Sequence, residues 1–140
     1  MILLDTDHLS VLLDLRHKQR QRLVDRLDGA GEELAVPIIC VEELLRGWLA
    51  QIRRTHDPHR QVAPYQRLAK LLDFLRDWRV IAWDQSAADV FVQRKSAKLK
   101  IGAADLQMAA IVLASGARLL SANLVHFQQV VGPTGRGLAL

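Results

Sequence analysis

The chain is short of cysteine, short of aromatics and without a long apolar run, and each shortage removes a class of function. Its lone cysteine, Cys40, has no partner for an internal disulfide and none for a zinc-holding pair, which fits a reducing compartment. Three tryptophans, one tyrosine and three phenylalanines, mostly at core spacing, offer no platform for stacking bases. The longest apolar stretch, Met108 to Ala114, is far too short to span a bilayer. Met-Ile-Leu-Leu-Asp at the start lacks a basic segment before its apolar run, so the expectation is a cytoplasmic protein with no targeting or membrane segment. His8, His17, His56, His59 and His126 are scattered, and none pairs with a serine or with Cys40 in a way that suggests nucleophilic catalysis. Acidic charge is also scarce late in the chain: from Val90 onward Asp105 stands alone against Arg94, Lys95, Lys98, Lys100, Arg118 and Arg136.

What remains is enough for one folded domain over residues 1–140, with 50% hydrophobic and 24% charged residues. Ile2-Leu3-Leu4 reads as a buried strand, and Leu9 to Leu15 as the helix it feeds. A basic amphipathic stretch with Arg16, Lys18, Arg20, Arg22 and Arg26 runs to Leu27 and closes at Asp28-Gly29. This run and the later basic cluster each read either as a solvated helix face or as a phosphate-binding rim. Leu34 to Ile39 reads as a second strand, Val41 to Ile52 as a helix, and Arg53 to Pro64 as an exposed connection. A helix from Tyr65 to about Trp78, a strand at Arg79 to Trp83, helices at Ser86 to Lys98 and Ala103 to Ser115, and a strand at Arg118 to Ser121 complete the pattern. Strands alternating with helices imply an α/β domain of three layers with a short, mostly parallel sheet.

In such folds ligands gather at the carboxyl ends of strands; Asp5 follows the first strand directly, and Asn123 lies two residues past Leu119-Leu120-Ser121. Each has a second reading as a helix N-cap, as does Asp7, with Asn123 capping a short helix from Leu124 to Phe127. Asp105 lies in a segment that is apolar nearly all the way round, so its carboxylate must cap the helix start after Gly102, pair with a cation or hold a metal. Glu42 and Glu43 leave a register question. On a helix beginning at Val41, Glu42 flanks the apolar side and Glu43 points almost opposite, toward solvent. Yet Gly47 lies four residues on, on the face of Glu43, and clears space beside it.

Four stretches in order resemble the PIN-domain nucleases, most closely the VapC-type toxins of toxin–antitoxin pairs: Leu3-Leu4-Asp5-Thr6-Asp7, Glu43-Leu44-Leu45-Arg46-Gly47, Ile101 to Ala110, and Ser121-Ala122-Asn123-Leu124-Val125-His126-Phe127. The resemblance implies a three-layer α/β/α PIN-like domain in which Asp5, Glu43 and Asp105 hold Mg²⁺ or Mn²⁺, with Asn123 completing the site. It thereby favours Glu43 over Glu42. It also implies a cytoplasmic endoribonuclease that cuts single-stranded or looped RNA, a cognate antitoxin as partner, and a homodimer. Arg94, Lys95, Lys98 and Lys100 would hold phosphates on either side of the acidic centre. Two departures stand out: the fourth position, often aspartate in the family, is Asn123, and Val131 to Leu140 lacks the expected apolar and aromatic ending. Hard oxygen donors suit Mg²⁺ on chemical grounds alone, and a bound divalent ion lowers the pKa of its water for in-line attack on a phosphodiester. Two other readings are carried forward: an inert PIN-fold module that binds RNA or docks an antitoxin, and an aspartyl-phosphate phosphatase of the haloacid-dehalogenase kind, suggested by Asp5-Thr6-Asp7.

Overall fold

A computed structural model describes residues 1–95, 102–121 and 137–138. Its elements are β1 (Ile2–Leu4), α1 (Thr6–Leu13), α2 (Arg20–Ala30), β2 (Leu34–Pro37), α3 (Ile38–Arg54), α4 (Val62–Leu75), β3 (Arg79–Ile81), α5 (Gln85–Lys95), α6 (Ala103–Ser115), β4 (Arg118–Leu120) and β5 (Gly137–Leu138). The strands form one sheet in the order β3-β2-β1-β4-β5. Every described pairing is parallel, in keeping with the expected short, mostly parallel sheet. Parallel strands need a crossover between them, and from β1 to β4 the described helices supply it.

Residues of β1, and most of those of β2 and β4, are buried on both faces, as a covered parallel sheet requires, while the edge strand β3 is largely exposed. Ile2, Leu4 and Leu120 pack with Leu12, Leu23 and Leu27 of α1 and α2. Leu3 and Leu119, which point the other way, join Met108, Ala109, Ile111 and Val112 of α6 in the larger cluster. Sheet residues one apart thus enter separate cores, which is the three-layer arrangement. The nearly all-round apolar α6 is accounted for by its six buried residues, from Leu106 to Val112.

Chain order makes β1 the pivot. The chain steps outward from β1 to β2 to β3, then crosses to the other flank of β1 to lay down β4. The strand order therefore reverses beside β1, and in open α/β sheets that reversal opens a crevice at the carboxyl edge.

Several boundaries differ from the sequence reading. The α2 helix closes at Gly31, which takes φ +62° as its left-handed C-cap, and Gly29 stays helical. Strand β2 stops at Pro37, and α3 begins at Ile38, three residues before the expected start. Pro64 lies inside the first turn of α4, where a missing N–H costs nothing. The short β5 was not expected at all.

Leu4 is fully buried in the pivot strand, directly before Asp5. Leu4→Ala is expected to lower unfolding stability by about 2–5 kcal/mol in urea titration, the usual range for an unfilled core leucine.

Candidate active site

Asp5 leaves the carboxyl end of β1 and caps α1: its Oδ1 accepts the backbone N–H of His8 at 2.9 Å. The capping reading and the site reading of Asp5 therefore hold together. The same oxygen lies 2.6 Å from His8 Nδ1, and a carboxylate oxygen only accepts, so that nitrogen carries the proton. The backbone N–H of Asp5 donates to the carbonyl of Leu120 at 3.2 Å, tying the start of α1 to the neighbouring strand β4. Asp5 is only 7% exposed. Burial pushes its carboxyl up, but the side-chain and backbone hydrogen bonds from His8, the His8 charge and a bond from Ser121 together outweigh it and hold the group below 3.8.

Glu43 reaches the same place from α3. Thr6 Oγ1 donates to Glu43 Oε2 at 3.0 Å, so the residue after Asp5 holds the second carboxylate. Periodicity sent Glu43 to solvent only because the helix was started at Val41. With α3 beginning at Ile38, Glu43 falls three and four residues after the buried Cys40 and Ile39, and so stands one turn along the inward face. Glu42 is the exposed partner, held by Arg46 through Nε at 3.0 Å and Nη2 at 2.6 Å. Gly47 is exposed, and a methyl group added there would meet nothing within 4 Å, so space is open on the flank of Glu43.

Cys40 lies beneath this pair. It is fully buried, and its thiol donates to the Leu4 carbonyl at 3.4 Å. Burial pushes its pKa up to about 12; a Thr6 hydrogen bond works against this, and the charges of Glu43, Asp5 and Asp7 add to it. Burial above all keeps Cys40 protonated, and so neither a metal ligand nor a nucleophile.

Asp105 is half-buried in the first turn of α6, three residues after the N-cap Gly102. The capping position itself is therefore taken by glycine, while Asp105 still lies where a helix dipole favours negative charge. Helix α6 ends where β4 begins, at the amino edge of the sheet, so the turn carrying Asp105 is the end turned toward the carboxyl edge. Among the described residues no three His, Cys, Asp or Glu side chains stand close enough to share a metal ion. The described structure links Glu43 to the residue that follows Asp5, through Thr6, and sets Asp105 on the first turn of α6. Asn123 lies outside the described residues, as do Lys98, Lys100, the expected helix at 124–127 and most of the expected tail. Arg94 and Lys95 are exposed in the last turn of α5, with Lys95 Nζ 5.9 Å from the centre of the Phe91 ring. In the first basic run Arg20 turns inward to the Leu12 carbonyl at 2.9 Å, while Arg16, Lys18, Arg22 and Arg26 remain exposed.

The donors at Asp5 and Glu43 suit a small hard cation: both are carboxylates, the nearby thiol is neutral, and Mg²⁺ commonly takes one or two carboxylates with water and phosphate for the rest. Sequence reasoning missed His8, whose 1% exposure and contact with Asp5 make it part of the site. Its position three residues after Asp5, at the third residue of α1, was the signal available.

A parallel α/β domain with acidic side chains gathered at the strand-order reversal is the class defined by these observations. The PIN domain model matches residues 2–132, and the chain belongs to the PIN domain family. Comparison with curated proteins finds no match. Among solved structures, the chain is similar to one in VapBC2 from Rickettsia felis bound to a promoter DNA fragment, with 19% identity, TM-score 0.74, and 100% and 99% of the two chains covered. It is similar to one in FitAcB from Neisseria gonorrhoeae at 24% identity and TM-score 0.70, over 93% of each chain. A third likeness is to DNA-bound VapBC from Salmonella typhimurium, at 19% identity and TM-score 0.74 over 99% and 96%. The phosphatase alternative falls with the family assignment. Among the described residues no helix is long and apolar enough to cross a membrane.

Two measurements check this geometry. The folded carboxyl of Asp5 lies below its unfolded value, so its contribution to stability is complete above that value and disappears as pH falls through the folded one. The stability difference between wild type and Asp5→Asn is therefore expected to be constant above about pH 5 and to narrow below it in pH-dependent urea unfolding. Cys40 in the native protein is expected to react with a disulfide reagent at pH 8 at least ~100-fold more slowly than in the unfolded chain, since both burial and a raised pKa withhold the thiolate.

Proposed function

We propose that this chain is a divalent-metal-dependent endoribonuclease and the toxin of a toxin–antitoxin pair of the VapC type. The single observation that carries the reading is the Asp5–Thr6–Glu43 arrangement at the crevice beside β1, in a chain of the PIN domain family. Asp5, Glu43, Asp105 and Asn123 are the proposed oxygen ligands of Mg²⁺ or Mn²⁺. A bound ion would supply charge to the scissile phosphate and lower the pKa of its water. The chain's own part is to hold the carboxylates: Thr6 orients Glu43, while His8 and Ser121 keep Asp5 ionised. Asparagine at 123 brings no negative charge, so the site relies more heavily on the other three. Arg94, Lys95, Lys98 and Lys100 are the proposed phosphate contacts. RNA is the proposed substrate. With the aromatic pairs Phe74–Trp78 and Trp83–Phe91 packed on each other, recognition would rest on backbone shape and charge more than on base stacking.

A cognate antitoxin as partner is supported by the likeness to chains whose structures are described as VapBC and FitAB complexes. A homodimer and a cytoplasmic location belong to the same proposal. The second reading, a PIN-fold module that binds RNA or antitoxin without cutting, rests on Asn123, which puts an uncharged amide at the fourth position.

The two readings separate in solution. Purified protein is expected to cleave RNA with added Mg²⁺ or Mn²⁺ and to stop in chelator. Asp5→Ala and Asp105→Ala should each lower cleavage at least ~100-fold, the upper end of what loss of a mere outer-shell partner costs a metal site. Undiminished cleavage by either variant overturns the nuclease proposal. Absent calorimetric heat with millimolar Mn²⁺, with RNA still retained, establishes the inert module.

A further inference from the structure

His8 is nearly sealed from solvent at 1% exposure, and its ring is not explained by either packing or capping. Capping needs only its backbone N–H, which would reach Asp5 Oδ1 whatever side chain stood at position 8. Packing would be served better by leucine, because the ring leaves Nε2 buried with no hydrogen-bond partner among the described residues. What the imidazole adds is a second donor on the same carboxylate oxygen: Nδ1 to Oδ1 at 2.6 Å, beside the backbone bond at 2.9 Å. Both donors of one residue therefore converge on Oδ1. Together they fix the rotation of the carboxylate about its Cβ–Cγ bond, which capping through a single bond does not.

We infer that His8 is a positioning residue of the metal site, occupying Oδ1 of Asp5 so that Oδ2 is the oxygen turned to the cation. This rests on the metal reading proposed above. Ligating carboxylates are held by hydrogen bonds from behind, and losing such a support typically weakens metal binding 10- to 100-fold. The imidazole touches neither substrate nor ion; it acts through Asp5. The geometry also distinguishes the two ring positions, because only a donor at the place of Nδ1 reaches Oδ1. Asparagine carries its amide nitrogen near that place, whereas glutamine carries it near the place of Nε2.

The test is Mn²⁺ affinity, read from the free-ion signal in electron paramagnetic resonance, for wild type, His8→Leu, His8→Gln and His8→Asn, with thermal unfolding in chelator confirming that each is folded. Wild type is expected to bind. His8→Leu and His8→Gln should bind at least ~10-fold more weakly, and His8→Asn should recover most of the loss. His8→Gln supplies the comparison should His8→Leu fail to fold. Wild-type affinity in either His8→Leu or His8→Gln overturns the inference while leaving the metal reading intact, and so does an asparagine variant no better than the leucine one. If wild type itself binds no Mn²⁺, the metal reading falls and takes the inference with it.

Discussion

A carboxylate kept ionised inside the protein is the constraint around which the carboxyl edge of the sheet is arranged. Asp5 is nearly buried at the end of the pivot strand, and an unsupported charge there would be neutralised or expelled. It is instead surrounded by donors from two segments: the backbone and ring of His8 on α1, and Ser121 immediately after β4. The pairing of β1 with β4 is what brings the second segment within reach. The capping bond that starts α1 and the bonds that hold the charge are largely the same bonds. Helix formation and site assembly are thus coupled at one oxygen.

Glu43 depends on the other flank. Parallel pairing of β1 with β2 sets the end of β2 beside Asp5, and α3 begins there without a connecting loop, at Ile38. One turn on, Glu43 meets Thr6. The buried thiol of Cys40 registers the charges of Glu43, Asp5 and Asp7 as secondary contributions to a pKa that burial raises. A divalent ion at this edge would favour the ionised form of every carboxylate near it.

Much of the fold was legible along the chain. Short apolar runs between helical periods marked β1 to β4, and α6 was bounded correctly at both ends because Gly102 and Gly116 punctuate a largely apolar segment. Failures came where local signals compete. Gly29 looked like the stop of α2, but the left-handed turn is taken by Gly31, two residues later. Pro37 ended a strand without delaying the helix behind it, and mistaking that boundary turned Glu43 to the wrong side. Asp5 was legible as a residue at a strand end, while His8, read as one of several scattered histidines, was not, because nothing in spacing distinguishes a buried imidazole from an exposed one.

By itself, then, the order of residues determined the alternation of strands and helices, the parallel sheet it demands, and the positions of acidic residues just past strand ends. Those follow from periods of two and of 3.6, which are local properties of the backbone. Tertiary structure alone decided which acid meets which. Glu43 and not Glu42 faces Thr6, His8 and not another histidine supports Asp5, and the strand order reverses at β1. Each of these depends on how separate segments pack across tens of residues, a distance over which no local period carries information.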